Sequence, residues 1–170
     1  IAVSALGAGE AHLGQVGGHV TIVDVPLTLD TNAYADGDVL AEVQEVSNAL
    51  RVSGGSGLLQ TISVVDKDDQ GEAMDVYIFN ADASLGAENS AVSISDADAA
   101  KIVPGGKIEI ASGDYYDLGG VRVATGSNQQ NLAIPLKVSS GTSIWLGVVS
   151  RGTGTYSADG VVIRLGIIQD

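Results

Sequence analysis

Leu58-Leu59-Gln60-Thr61-Ile62-Ser63-Val64-Val65, closed by Asp66-Lys67-Asp68-Asp69-Gln70-Gly71, is the stretch whose reading decides the fold. Ahead of it, Val43, Leu50 and Val52 lead into the breaker Ser53-Gly54-Gly55-Ser56-Gly57, and Asp36-Gly37-Asp38 opens the block. Short runs of branched apolar and small polar residues, bounded by Gly-rich or Asp-rich breakers, read as strands between turns. Nothing in the block resembles a reaction centre.

The same pattern extends in both directions. Upstream, Val23, Val25, Leu27 and Leu29 alternate with Asp24, Pro26 and Thr28, the period of a half-buried strand. Pro26 cannot donate to a ladder, so that strand belongs at a sheet edge or carries a bulge. Glu42 to Val52 predicts a second strand, with a break near Ser47-Asn48. Downstream, Met74, Val76 and Ile78 share one face and Asp75, Tyr77 and Phe79 the other. The Asp66–Gly71 turn is expected to join the 58–65 and 74–80 strands as a hairpin. Further strands are predicted at Ile108–Ala111, Tyr115–Leu118, Val121–Ala124, Leu132–Val138, Ile144–Ser150 and Val161–Ile168. Gly119-Gly120 is a two-residue hairpin signal, and Val161–Ile168 reads as central and buried.

One short helix is expected over Ser95 to Ile102. Ser95 stands three residues before Asp98, a weak capping box. Asp96 and Asp98 suit the positive end of the helix dipole and Lys101 the negative end. Pro104-Gly105-Gly106 is expected to end it. Turn signals every ~8–12 residues indicate an antiparallel sandwich or barrel. The expectation is an all-β protein: one antiparallel β-sandwich of jelly-roll type over His19–Asp170, preceded by an extended N-terminal arm, Ile1–Gly18.

Composition narrows the function. The 170 residues carry 21 Asp plus Glu against 8 Lys plus Arg, a formal net charge of -13. Nucleic-acid affinity comes largely from cations neutralising phosphates, and the eight here are scattered, so no nucleic-acid partner is expected. With 0 Cys, disulfides, thiolate metal sites and cysteine nucleophiles are excluded. No run of about 18 apolar residues exists, so no membrane span is expected. Aromatic residues make up 4%, so a core of Val, Ile, Leu and Ala has to close through many small contacts.

Asp66, Asp68, Gln70 and Gly71 mimic the start of a calcium loop, but the twelfth position is Tyr77, where a bidentate Glu is needed. The turn reads as a solvated acidic tip, with a divalent site of another kind open as an alternative. Asp36, Asp38, Asp114 and Asp117 read as turn residues that fold back on their own backbone. The two imidazoles, His12 and His19, lie in or beside the lead-in. Gly54-Gly55-Ser56-Gly57 is followed by Leu58, so no nucleophile elbow is completed. Trp145, in Ile144-Trp145-Leu146, reads as core rather than as a binding platform. Of Tyr115 and Tyr116, adjacent on a strand, at most one joins the core; the other could anchor an interface. No catalytic, cofactor-binding or metal-ligating residue is expected, and the chain is read as a non-enzyme.

Several segments together resemble a known group. They are Ala35-Asp36-Gly37-Asp38-Val39-Leu40, Asn48-Ala49-Leu50-Arg51-Val52 with its Ser-Gly turn, Val64-Val65-Asp66-Lys67-Asp68-Asp69-Gln70-Gly71, Ser93-Ile94-Ser95-Asp96-Ala97-Asp98-Ala99, Val149-Ser150-Arg151-Gly152-Thr153 and Leu165-Gly166-Ile167-Ile168-Gln169-Asp170. The ordered set, from Thr28 to Asp170, resembles small β-rich virion proteins of tailed bacteriophages. The resemblance implies a structural role on the particle, as a capsid decoration or cement protein. It implies binding to the outer surface of the major capsid protein, homo-oligomers (trimers first), and a place on the virion after synthesis in the host cytoplasm. A tail or baseplate component and a carbohydrate-binding sandwich module are the alternatives.

Overall fold

A computed structural model describes residues 18–125 and 130–170. The expected arm, except Gly18, lies outside the described residues, as does His12. Among the described residues, ten strands form two antiparallel sheets. They are β1 (His19–Pro26), β2 (Val39–Val46), β3 (Ser56–Asp66), β4 (Met74–Phe79), β5 (Ile102–Ile110), β6 (Tyr115–Asp117), β7 (Arg122–Ala124), β8 (Gln130–Lys137), β9 (Ile144–Ser150) and β10 (Val161–Gln169). The first sheet runs β1-β10-β3-β7-β6, with β8 also paired to β3; the second runs β2-β9-β4-β5. Ala124 faces Val64 and Gln130 faces Thr61, so β7 and β8 lie along one edge of β3.

Without the β6–β7 hairpin, eight strands remain, four in each sheet, in the orders β1-β10-β3-β8 and β2-β9-β4-β5. Successive strands cross between the sheets, except that β4 and β5 are neighbours in one. This is jelly-roll topology, and the expected fold class holds. Period-2 alternation builds it. Val161, Ile163, Leu165 and Ile167 of β10 point inward, towards Met74, Val76 and Ile78 of β4 and Leu146 and Val148 of β9, all in one buried cluster. β10 sits between β1 and β3, central as predicted. β1 is an edge strand, and Pro26 is its last residue.

The strand expected over Glu42 to Val52 is instead β2, Val39–Val46, followed by turns and bends, and three further expectations change. First, Asp66–Gly71 is not a hairpin turn. β3 belongs to the first sheet and β4 to the second, paired with β5 and β9. The connection crosses the roughly 10 Å between packed sheets, a choice that local turn chemistry does not encode. Second, Pro104-Gly105-Gly106 does not end a helix. It lies inside β5, where the pairing shifts between Tyr77↔Lys107 and Phe79↔Ile102. β5 is an edge strand, and edges and bulges tolerate proline. The helix itself, α1, is only Asp96–Ala99, capped by the Ser95 side chain accepting from Asp98 N. Lys101 lies beyond it yet still reaches Asp98, at 2.8 Å. Third, Leu27 and Leu29 are buried but follow β1 rather than belonging to it. Their amides bond the carbonyls of Val161 and Ala158 instead.

A second small core lies on the outer side of the second sheet. Val39, Phe79, Leu85 and Val149 are buried there, with Val43, Ile94, Ile102 and Trp145 packed around them. The long β4–β5 connection supplies Leu85 and Ile94 and covers that face. Gly147 permits the close approach: a Cβ there would stand 2.7 Å from Leu85 Cδ1 and 2.9 Å from Val43 Cγ2. Trp145 is half-buried in this outer layer, neither in the sandwich interior nor free as a platform. As the only tryptophan, it reports on the layer. Gly147→Val should push Leu85 outward, lower stability by about 2 kcal/mol and red-shift Trp145 emission, as urea titration followed by fluorescence would record.

Candidate interaction surface

The ionisable groups are mostly engaged in holding loops. Asp66, 1% exposed, accepts from Asp68 N at 3.0 Å through one oxygen and from Gly71 N at 2.6 Å through the other. Asp68 accepts from the Ser157 amide at 2.7 Å and its hydroxyl at 2.9 Å. Asp69 takes the Arg122 guanidinium at 2.7 Å, and Lys67 reaches Asp159 at 3.3 Å. The acidic turn is therefore a buckle that ties the β3–β4 connection to the 153–160 loop and to β7. Among the described residues, no group of three or more His, Asp and Glu gathers to hold a metal.

Of the four other aspartates read as turn residues, Asp36 stands in a turn as expected, and three of the four fold back on the backbone. Asp38 accepts from Ala35 N, Asp114 from Ala111 N and Asp117 from Gly119 N. Asp36 instead lies 3.6 Å from Arg151. His19 is held by Gln169 at 3.0 Å, and Gln169 donates onward to the carbonyls of Asn48 and Ala49.

Two of the hollows among the described residues bring cations and carboxylates together. Asp75, 4% exposed on the outer face of the second sheet, meets Arg151 at 2.7 Å and Lys107 at 3.4 Å. Lys107 also bonds Glu109 at 2.6 Å, which holds the Glu109 carboxyl below its ordinary range and raises the Lys107 ammonium. This cluster borders a hollow of about 340 Å³. A larger one, about 510 Å³, opens beside β5 and β8 and is lined by Ile108, Leu132 and Ile134 with Lys107, Glu109 and Asp114 at its margin. In both, these charges pair with each other or with the backbone.

Three phenols lie inside. Tyr34 donates to Glu88 at 2.9 Å and accepts from the Asp30 amide at 2.7 Å. Glu88 also accepts from the Asp30 amide, so this tyrosine ties the β1–β2 connection to the covering layer. Tyr156 stacks at a tilt on Tyr34, ring centroids 6.1 Å apart. Tyr115 is turned inward while Tyr116 is 58% exposed, the division expected of neighbours on a strand. Burial pushes the phenols of Tyr34, Tyr115 and Tyr156 well above the usual tyrosine range.

What is exposed and unspent is apolar. Val20 and Ile22 of β1 are 64% and 67% exposed. Among the described residues β1 pairs with β10 on one side only, and its other edge carries no strand. It carries no Lys or Arg, and its single Pro is at the far end, so the devices that usually block an edge are missing along most of it. The outward face beside it continues the apolar character. Val20 pairs with Ile168, Ile168 with Leu58 and Leu58 with Pro135, a row across four strands. Alternation alone did not single out this row. Its trace in the sequence is the doubled apolar pairs Leu58-Leu59 and Ile167-Ile168, one member of which has to face outward.

No protein-family model matches the chain, and no curated protein matches it. No helix among the described residues is long and apolar enough to cross a membrane.

Asp66→Ala removes both acceptors of a buried buckle and should cost about 3 kcal/mol, measured by urea unfolding. A second prediction follows from the phenols. Their folded-state pKa values lie above the unfolded value of about 10. Their contribution to stability is therefore complete below that pH and is lost as pH rises towards the folded values. An alkaline titration should show tyrosinate absorbance from these three appearing together with loss of the β-sheet circular dichroism signal.

Proposed function

We propose that the protein is a non-enzymatic structural component of a virion, a capsid decoration or cement protein that binds the outer surface of major capsid subunits and stabilises the head. The observation that carries this reading is the open, apolar edge of β1. An unpaired strand edge offers backbone groups for pairing with another chain, and exposed Val20 and Ile22 offer side-chain area beside them. Three other features support it. Among the described residues most of the titratable side chains act on loops and on each other. The net charge of -13 favours a basic docking surface and disfavours nucleic acid. The ordered sequence segments resemble small β-rich phage virion proteins. Jelly rolls serve capsid and lectin domains alike, so the fold by itself does not choose between them.

The lectin-like alternative has less support. Of Trp145, Tyr115 and Tyr116, only Tyr116 is exposed, and one ring is a poor platform for a sugar chain.

Purified protein should bind expanded, DNA-filled heads to saturation and raise their resistance to heat. Ile22→Lys places a charge on the open edge and should weaken that binding at least tenfold, about 1.4 kcal/mol, with the melting temperature of the free protein unchanged. Lack of binding to heads, or density on tails alone in electron micrographs, would overturn the assignment.

A further inference from the structure

One hydrogen bond fixes which backbone groups line the free side of β1. The Leu27 amide donates to the Val161 carbonyl at 2.9 Å. These two residues continue the β1–β10 register, in which Pro26 faces Val162. Along an antiparallel ladder, residues alternate between bonding the neighbour and pointing away from it. Val25, Val23, Thr21 and His19 therefore direct their N–H and C=O groups to β10. Val20, Ile22 and Asp24 direct theirs to the side that, among the described residues, carries no strand.

This run is closed at its far end. Pro26 has no N–H, and its carbonyl accepts from the Gln44 side chain at 3.1 Å. The oxygen of that side chain accepts from the Thr28 amide at 3.2 Å. Gln44, from β2, thus stands in for a strand neighbour at Pro26 and Thr28. What stays open is a window of Val20, Ile22 and Asp24, whose side chains share the outward face, with Val20 and Ile22 well exposed.

We propose that this window pairs with the same window of a second copy, antiparallel, about a two-fold axis through Ile22. Ile22 then faces Ile22, and Val20 of each copy faces Asp24 of the other. Each pair exchanges both of its N–H···O=C bonds. Opposed residues of an antiparallel pair share a face, so the two isoleucines meet on the outward side with each Val20 diagonal to them. An isologous contact requires a patch that complements itself, and this one does: its only charge meets an apolar residue. Moving the axis to Asp24 opposes two carboxylates, which is destabilising, and sets Ile22 against Pro26. Moving it to Val20 sets Ile22 against Gly18, which offers no side chain. With the axis at Ile22, each Asp24 keeps its own Arg164 at 2.8 Å. So narrow a contact falls short of the about 1,200 Å² of a stable complex, and two chains of net charge -13 repel each other. The dimer is therefore weak, with a dissociation constant on the order of 10⁻⁴ M, and a dilute melting experiment sees the monomer. The pairing does not rest on the capsid reading; under that reading, the second copy and the capsid compete for one edge.

Sedimentation of the full chain, with no capsid present, tests the pairing. A monomer–dimer equilibrium should appear as concentration rises and tighten with added salt, because screening relieves the repulsion. Ile22→Lys opposes two lysines on the axis and should raise the dissociation constant by about tenfold or more. Val20→Lys sets a cation against Asp24 of the other copy and should leave the constant within about threefold. In hydrogen exchange, the amides of Val20, Ile22 and Asp24 should slow as concentration rises. Those of Thr21, Val23 and Val25, already bonded to β10, should not respond. A chain that stays monomeric throughout or forms trimers, a dimer in which the alternate amides do not respond, or equal loss in the two lysine variants would overturn the proposal.

Discussion

The structure depends on closing two sheet inner faces over one core that holds almost no rings. Val, Ile and Leu from β3, β4, β9 and β10 interdigitate there, and each contributes through many weak contacts. Such a core is sensitive to volume and indifferent to chemistry. Among the described residues, most polar side chains accordingly lie in the loops or on the outer faces. Phe79, the one phenylalanine, is not even in this core; it lies in the outer layer beneath Leu85.

The polar side chains do what that core requires. A jelly roll crosses between sheets at nearly every connection, so its loops are long and their backbone donors need partners. Asp66, Asp68, Asp38, Asp114 and Asp117 supply acceptors to amides close in sequence or across a loop. Tyr34 and Glu88 tie the covering layer to the β1–β2 connection. The acidic excess is in part the means by which these loops are shaped. Among the described residues, the surface it leaves is charged, with one apolar strand edge and an apolar row beside it.

Strand positions were legible because alternation is local. β9 and the last strand, the two faces of β4, the inward Tyr115 and outward Tyr116, and the Gly119-Gly120 hairpin all follow from residue spacing. Two of the misreadings share a cause. Pro104-Gly105-Gly106 carries the same residues whether it stops a helix or bulges an edge strand, and Asp66–Gly71 whether it turns a hairpin or bridges two sheets. Which one occurs depends on what lies 10 or more residues away. The outward row was hidden for the same reason: Leu58 and Ile168 are far apart in sequence, and only register makes them neighbours.

Sequence alone therefore determined the class, most of the strands, the capping of α1 by Ser95 and the lack of thiol chemistry, because each rests on periodicity, propensity or composition. Tertiary structure alone decided which strands pair, that Trp145 belongs to an outer layer, that Asp75 holds both Arg151 and Lys107, and that β1 is, among the described residues, an edge strand. Pairing is a competition among distant segments for the same backbone hydrogen bonds, and its outcome is fixed by packing of the whole molecule, not by any one stretch of it.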